Sequence, residues 1–371
     1  MRIRLAMIAA WACAAQAQSE LPQARLKIDF PTDSPVAVVA ADWGESRAAA
    51  RGNTLMLDLK TSLVLRNTAS QRIRGVVLRV VAQEVSPGGK ASVAVPSLNV
   101  APGETFPVRV DLRLLRPPAP PGGPLVEVSL DGVLFEDLSF YGPDRLESRR
   151  AMLAWELEAQ RDRAHFKKVL QTEGEEGLRR AMLDTLARQA ARPRLDVQVV
   201  RRAPPTAFGG HQIQFAFLRF PGAPVEPLFG TAEVAGNEAH TPRVEVRNVS
   251  TREIRHVEIG WIVRDRDGRE FFAGSLPASG LKLAPGARAT TQEAVSLRFA
   301  SSPGGPLSIS AMTGFVSQVE FADGSLWIPP RSVLSDPRLA RVVAPSAEEQ
   351  RLAEIYRTKG LAAVIAELKK F

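Results

Sequence analysis

Ser279 and Lys282 have the S-x-x-K spacing by which a lysine can activate a serine nucleophile. That chemistry places the lysine one helical turn after the serine, so that its amine reaches the hydroxyl group. Here the motif SGLK runs directly into a Pro285-Gly286 turn signal, and neither S-D-N nor K-T-G follows it. The pattern predicts a loop, and we assign no catalytic residue to it.

The acidic stretch RDRDGRE at 264–270 is a second candidate, because Asp265, Asp267 and Glu270 are oxygen donors of the type that Ca²⁺ prefers. An EF-hand loop needs three donors at alternate positions, then a glycine, and a Glu at its twelfth position. This spacing is not met. Asp267-Gly268 is instead a strong hairpin signal, so the stretch predicts a solvated turn between two strands.

The four histidines, His165, His211, His240 and His256, are the remaining candidates for a metal site. No two of them lie three to five residues apart, so the sequence contains no local pair of ligands. We place His165 on a helix and His256 on the outer face of a strand. No phosphate-binding glycine loop, dinucleotide fingerprint or G-x-S-x-G motif occurs. We therefore assign no metal-ligating or cofactor-binding residue and expect no cofactor.

The stretch ADWGES contains the only compact set of acidic and aromatic residues in a predicted loop, namely Asp42, Trp43 and Glu45. These three residues are our candidate binding loop. The two acids, Asp42 and Glu45, are also those that an unrecognised hydrolase would use. The alternative is a turn at the end of a strand, with Trp43 packed into the core.

The N-terminus has the features of a secretory signal peptide. Arg2 and Arg4 precede a short apolar segment, and Ala15-Gln16-Ala17 fits the cleavage pattern. We predict a signal peptide at 1–17, cleaved between Ala17 and Gln18, and hence an exported protein that is periplasmic or extracellular.

Cys13 is the only cysteine and lies inside this predicted signal. A lipid anchor on Cys13 is the less favoured alternative. Cleavage after Ala17 removes the thiol, which excludes a cysteine nucleophile and leaves hydrophobic burial to stabilise the chain. No other stretch is long and apolar enough to predict a transmembrane segment.

The charge pattern argues against nucleic-acid binding. The chain has 48 Lys and Arg residues against 40 Asp and Glu residues, which gives a formal net charge of +8. The two signs are interspersed throughout, and no basic stripe with interleaved aromatic residues occurs.

Four stretches of the first half recur in the same order in the second half. They are RN at 66–67 and 247–248, LNVAPGE at 98–104 and LKLAPGA at 281–287, PGGPL at 121–125 and 303–307, and FEDLSFYGP at 135–143 and FADGSLWIP at 321–329. A conserved order with nearly constant offsets indicates an internal duplication. RLKIDF at 25–30 is predicted to correspond to RLDVQV at 194–199.

The repeated unit reads as short strands separated by turns. Apolar and polar residues alternate in SLVLRN and RVEVRN, and an Asn ends each strand. In the second copy Val257, Ile259 and Trp261 share one face, which we assign to the core. The period and the turn spacing predict an antiparallel sandwich of about seven strands.

The V-x-V-x-N corner and the L-x-P-G turn before a strand resemble bacterial immunoglobulin-like and fibronectin-like sandwiches of the cysteine-free, cell-adhesion-related class. The resemblance covers about 27–142 and 195–331. It implies tandem β-sandwiches and a role in binding other macromolecules.

Two segments have helical patterns. Residues 144–173 contain neither Gly nor Pro, and Met152, Trp155 and Phe166 belong to one apolar stripe. A second helix over about 175–191 completes a hairpin. Ser346 and Glu349 fit a capping box that starts the C-terminal helices.

The predicted fold class is mainly β with α segments: two duplicated antiparallel β-sandwiches, each followed by a helical hairpin. The predicted order is a signal peptide at 1–17, a sandwich at 25–142, a helical hairpin at 143–192, a sandwich at 194–335 and helices at 346–371.

We expect an exported, non-catalytic protein that binds or scaffolds other macromolecules. Another protein is the favoured partner and a polysaccharide is the second choice, because few tyrosines are present to stack on sugars. The alternatives are a periplasmic assembly or chaperone-like factor that offers a sheet edge to a client strand, and an unrecognised hydrolase.

Overall fold

The computed structural model describes residues 19–20, 25–85, 87–118, 124–200, 210–278, 281–292, 296–302 and 307–371. The predicted signal peptide, Cys13, Ser279 and most of both PGGP stretches lie outside these residues. Strands hold 47% and helices 24% of the structure, which confirms a mainly β fold with a few helices. The chain divides into two compact units, Met1–Arg149 (unit 1) and Arg150–Phe371 (unit 2).

Unit 1 consists of two five-stranded sheets. Its strands are β1 (Ser19–Glu20), β2 (Leu26–Asp29), β3 (Val36–Asp42), β4 (Arg47–Arg51), β5 (Thr54–Asn67), β6 (Ile73–Val81), β7 (Lys90–Val95), β8 (Thr105–Arg116), β9 (Val126–Phe135) and β10 (Phe140–Tyr141). In the first sheet β5 pairs with β3 and β4 along one edge and with β8 along the other, and β1 extends β4. In the second sheet β9 pairs with β6, β10 and β2, and β7 extends β6.

One hydrophobic core joins the two sheets of unit 1. Leu57, Leu63 and Leu65 of β5 are fully buried in it, together with Val76 and Leu78 of β6. Since side chains of a strand alternate between its faces, the period-two pattern of β5 places these leucines on one face. The burial of both inner faces holds the two sheets together.

Unit 2 contains a six-stranded sheet, a five-stranded sheet and five helices in its described residues. Its elements are α1 (Arg149–Ala191), β11 (Arg194–Val200), β12 (His211–Gln214), β13 (Ala216–Leu218), β14 (Val225–Ala235), β15 (Glu238–Asn248), β16 (Ile254–Asp265), β17 (Glu270–Ala278), β18 (Arg288–Gln292), β19 (Ser296–Ser302), β20 (Ile309–Phe321), β21 (Leu326–Trp327), α2 (Arg331–Leu334), α3 (Pro337–Val342), α4 (Ala347–Lys359) and α5 (Leu361–Leu368). The helix α1 is interrupted at Gly174, whose backbone has φ 68° and ψ −163°.

The sheet that contains β16 and β20 is buried on both faces. Val257, Ile259 and Trp261 lie in the core between the sheets, as the alternation predicts. The prediction that the other face of β16 is exposed is wrong, since His256 on that face is only 2% exposed. Leu339 of α3 packs there on side chains of β16 and β20, so a helical layer covers the second face.

Matching hydrogen bonds surround Asn67 in unit 1 and Asn248 in unit 2, and both side chains are fully buried. Asn67 Nδ2 donates to the carbonyl oxygens of Gln71 and Val100 at 2.9 and 3.1 Å, and its Oδ1 accepts from Ala69 N. Asn248 Nδ2 likewise donates to the residue four positions later and to the carbonyl of Leu283, at 2.7 and 2.9 Å. Each amide therefore ties a strand end to a distant loop.

Parts of the strand pairing recur in both units, and other parts differ. The strand β2 runs parallel to β9, and in unit 2 β13 runs parallel to β20. RLDVQV forms β11, which pairs antiparallel with β19. Its predicted correspondence with RLKIDF is therefore wrong, because alternation of apolar residues is common to half-buried strands and does not specify a position in the sheet.

None of the helices in the described ranges is long and apolar enough to span a membrane.

We expect Asn248→Ala to lower the free energy of unfolding of unit 2 by about 2–4 kcal/mol, because it leaves several buried backbone groups without partners. Asn67→Ala should do the same in unit 1. Asn53→Ala, at an exposed turn position, serves as the control. Urea unfolding followed by circular dichroism measures the change, and equal stability of Asn248→Ala and Asn53→Ala would contradict it.

Candidate functional site

The three residues of the predicted binding loop have separate roles in the structure. Asp42 is exposed and accepts a hydrogen bond from Gly44 N at 3.0 Å. Trp43 is half-buried and packs on the core of unit 1. Glu45 is exposed and lines a surface depression of about 330 Å³. Gly44 has φ +50°, and a Cβ there would lie 2.3 Å from the carbonyl oxygen of Lys60, so the turn requires a glycine.

The acidic stretch at 264–270 forms the predicted hairpin between β16 and β17. Asp265 accepts hydrogen bonds from the backbone and side chain of Arg269, and Gly268 has φ +81°. Glu270 turns inward and pairs with arginines of α3, including Arg338 at 2.7 Å. Burial raises the pKa of Glu270, but hydrogen bonds from Arg338 and Arg264 outweigh it and lower the pKa to about 2.

The four histidines lie on four different elements. His211 is exposed on β12, whereas His240 Nδ1 lies 2.6 Å from Ser296 Oγ. His256 Nε2 lies 3.5 Å from Glu258 Oε1, and His165 is half-buried on α1. Among the residues that the structure describes, no three His, Cys, Asp or Glu side chains are arranged to hold a metal ion.

A cleft of about 530 Å³ lies wholly within unit 2. We call it the helix–sheet cleft, since one wall is α1 and the floor is the outer face of β17 and β20. The segment from α2 to the start of α4 closes the remaining side. Its principal lining residues are Trp155, Glu158, Arg161, His165, Asp184, Arg188, Phe272, Ser275, Phe315, Ser317, Arg331, Leu339, Val343 and Glu349.

The spacing of residues along α1 explains which side chains enter the cleft. Trp155, Glu158, Arg161 and His165 are three or four residues apart, so they share one face of the helix. Met152, predicted to share an apolar stripe with Trp155, is fully buried, whereas Trp155 is 37% exposed. The apolar stripe therefore divides between the helical core and the cleft.

Buried ion pairs at one side of the cleft join segments that are distant in the sequence. Arg331 Nη1 lies 2.6 Å from Glu349 Oε2 and 3.2 Å from Asp162 Oδ1. Arg161 donates to both oxygens of Asp162 at 3.0 Å and to the carbonyl of Pro329. Arg188 also pairs with Glu349. These contacts connect α1, the chain before α2, and α4.

Glu349 has a different role from the one predicted. Ser346 caps α4, as its Oγ accepts a hydrogen bond from Glu349 N at 3.1 Å. The Glu349 carboxylate does not complete a capping box and instead accepts hydrogen bonds from Arg331, Arg188 and Thr185. Three donors, two of them charged, compete for this buried carboxylate more strongly than a single backbone N–H would.

A second chain of ion pairs runs through the helices. Arg163 lies between Glu156 and Glu348, at 2.7 and 3.4 Å. Arg351 then joins Glu348 to Glu367 of α5, at 2.8 and 2.7 Å. The helices are thus held by paired charges as well as by their hydrophobic core.

The network changes the pKa of its members. Burial raises the pKa of Glu349, but the hydrogen bonds and charges of Arg331 and Arg188 outweigh this effect and lower the pKa to about 2. Glu349 therefore stays ionised at every pH well above 2.

In two cleft residues outside the network, the pKa is shifted in the direction that favours the neutral form of the side chain. Burial raises the pKa of Glu158, and the charges of Asp162 and Glu258 raise it further against the opposing effect of Arg161. Burial and the charge of Arg331 lower the pKa of His165. Within the described ranges neither side chain has a hydrogen-bond partner. Both are therefore available to a ligand.

Sequence reasoning did not identify the helix–sheet cleft. Its residues come from α1, β17, β20 and the α2–α4 segment, which are up to almost 200 residues apart. The available signal was the three- and four-residue spacing of Trp155, Glu158, Arg161 and His165 along one helix face. Of these four residues, we placed only Trp155 in an apolar stripe.

No protein-family model matches the chain, and no curated protein matches it. Among solved structures, a β-glucosidase from Kluyveromyces marxianus gives a TM-score of 0.16 at 8% identity, over 71% of this chain and 45% of that chain. A protein described as pT26-6p gives 0.16 at 7% identity, over 90% and 72% of the two chains. The VP2 subviral particle of infectious bursal disease virus gives 0.14 at 9% identity, over 87% and 84%. This chain spans less than half of the β-glucosidase, and similarity at this level assigns neither family nor activity.

The ionised form of Glu349 stabilises the fold above its ordinary pKa of 4.5, and this stabilisation is lost as the pH falls from 4.5 towards 2. We expect a loss on the order of 3 kcal/mol over this range. Glu349→Gln should have a shallower dependence of unfolding free energy on pH, measured by urea unfolding between pH 7 and pH 2.5.

Glu176→Gln is the control, because Glu176 forms an exposed ion pair with Arg179. Identical pH profiles for wild type and Glu349→Gln would show that Arg331 and Arg188 do not hold this carboxylate.

Proposed function

We propose that the chain is an exported, non-catalytic protein that binds another protein through the helix–sheet cleft of unit 2. In this proposal the two units are duplicated immunoglobulin-like sandwiches, and helices follow each of them. The matching hydrogen bonds of Asn67 and Asn248 support the duplication, as do the parallel strands β2 and β13. A β11 strand without a counterpart is an addition to the second copy.

The observation that best supports the binding role is that the arginines of the cleft are already engaged in ion pairs. Arg161, Arg188 and Arg331 are all committed to buried carboxylates. Moving any of these guanidinium groups towards a substrate would remove one of the partners of a buried carboxylate, which is destabilising. The arginines therefore shape the wall of the cleft, and the other side chains that line it would contact the ligand.

Those groups define the chemistry of the ligand. Trp155 and Phe272 are partly exposed and offer apolar surface over a buried floor that contains Phe315. Glu158 and Asp184 are acidic residues without hydrogen-bond partners in the described structure. A short segment of a partner protein fits this arrangement if it presents one large apolar and one basic side chain.

We place this activity outside the cytoplasm, because the sequence predicts a signal peptide at 1–17. Anchoring through Cys13 is the less favoured route, and a polysaccharide is the second choice of ligand. A periplasmic assembly factor is a variant of the same proposal, in which the partner is a client protein.

A hydrolase is the second candidate, and one observation favours it. Burial raises the pKa of Glu158 and lowers that of His165 in the same cleft, which is a pattern that acid–base catalysis uses. No activated nucleophile accompanies them among the described residues, so we rank this candidate below binding.

We expect Trp155→Ser to abolish contact with the partner and Leu183→Ser to leave it unchanged. Leu183 is the matched control, since it is 50% exposed on the same helix and does not line the cleft. A photo-crosslinking amino acid at position 155 or 183, followed by mass spectrometry of periplasmic products, gives the measurement. Equal crosslinking from both positions would contradict the proposed site.

Glu158→Gln separates the two candidates. Binding of a basic side chain should weaken about tenfold and lose its dependence on pH and salt, because the carboxylate is the attracting charge. A hydrolytic activity that the same variant abolishes, found by broad substrate screening, would overturn the binding proposal.

A further inference from the structure

The strand β8 forms an open edge of the first sheet of unit 1. Residues 105–116 pair with β5 along one side. Among the described residues no strand pairs with β8 along its other side, although Gly88 and Gln83 hydrogen-bond to Leu115 at the end of β8. An unpaired strand edge is a template for another strand, and proteins usually protect such edges with charges or prolines.

The backbone N–H and C=O groups of successive residues in β8 point alternately towards β5 and away from it. Leu115 N donates to the carbonyl of Gly88 at 2.8 Å, which shows that this residue points away from β5. Arg109, Asp111 and Arg113 have the same parity, so their backbone groups also point outwards. Pro107 shares this parity and has no N–H group to leave unpaired.

The side chains of this edge carry complementary charges. Arg109 and Asp111 are both exposed on the outer face of the sheet. Within the described ranges neither of them forms an ion pair, in contrast with Arg113, which pairs with Asp58 of β5. Arg109 and Asp111 lie two residues apart and carry opposite charges. An antiparallel second copy of β8 can therefore place its own Asp111 and Arg109 opposite them.

We infer that two copies of this chain associate through the β8 edges, with Arg109 opposite Asp111 of the second copy. By two-fold symmetry Asp111 then lies opposite Arg109, so the register contains two cross-strand ion pairs. The buried Val110 side chains meet at the centre, and Val108 lies opposite Leu112. A register centred on Asp111 would instead place two aspartates opposite each other, which is unfavourable.

Unit 2 shows that this type of sheet accepts an added strand. The strands β18 and β19 both pair with β15, as β8 pairs with β5. The strand β11 then pairs with β19 through seven residues, from Arg194 with Ser302 to Val200 with Ser296. Unit 1 has no strand that corresponds to β11 in its described residues, so a second copy would occupy a comparable edge.

Charge reversal tests both the edge and the register. Arg109→Asp places aspartates opposite each other and should raise the dissociation constant of the dimer at least about tenfold. The double variant Arg109→Asp with Asp111→Arg restores opposite charges and should return the constant to near the wild-type value. Arg66→Asp is the control, because Arg66 is exposed on the central strand β5, away from the edge.

Sedimentation equilibrium of the full chain across a micromolar to millimolar range measures the constant, and circular dichroism verifies the fold of each variant. A wild-type chain that is monomeric at every concentration would overturn the inference. So would a dimer that Arg109→Asp leaves intact.

Disulfide capture gives an independent readout of the register in a Cys13→Ser background. Opposed residues of a hydrogen-bonded antiparallel pair have Cα atoms about 5.5 Å apart, within disulfide range. An equimolar mixture of the Arg109→Cys and Asp111→Cys variants should therefore crosslink faster than either variant alone. Equal rates in all three samples would contradict the register.

Discussion

The ion pairs of Arg331 with Asp162 and Glu349 are the constraint on which the helical part of unit 2 depends. Both carboxylates are almost fully buried, and an unpaired buried carboxylate costs several kcal/mol. The three residues come from α2, α1 and α4, so pairing them fixes the relative positions of three segments. The helix–sheet cleft is the space that remains between these segments and the outer face of the sheet. The same arginines that shape the cleft are engaged in these ion pairs, which is why we propose that the cleft serves recognition.

The two units share parts of their strand pairing but differ in what covers the sheets. Asn67 and Asn248 make equivalent hydrogen bonds, so these corners serve folding in both units and are poor candidates for a binding site. In unit 2 His256 and Phe315 are buried on the second face of β16 and β20, where α3 packs on Phe315. The features that distinguish the units, namely the helix–sheet cleft and β11 in unit 2 and the open β8 edge in unit 1, are the places where we locate function.

The sequence contains enough information to predict the strands, because alternation of apolar and polar residues directly reflects burial on one face. It also predicts the Asp267-Gly268 hairpin and the start of α4 at Ser346, because both depend on residues that are neighbours in the sequence. It does not predict that His256 is buried, because alternation along one strand does not show what covers its second face. Glu349 looks like part of a helix cap, and only the fold brings Arg188 and Arg331 to its carboxylate. The cleft is assembled from equally distant segments.

A double-mutant cycle on Arg331→Met and Glu349→Met tests the central claim most directly. The measured quantity is the free energy of unfolding of unit 2 for the wild type, both single variants and the double variant. If the ion pair fixes the helices, each single change is strongly destabilising and the double variant regains much of the loss, with a coupling energy of at least about 2 kcal/mol. A coupling energy below about 0.5 kcal/mol would contradict the account, because the two residues would then stabilise the fold independently.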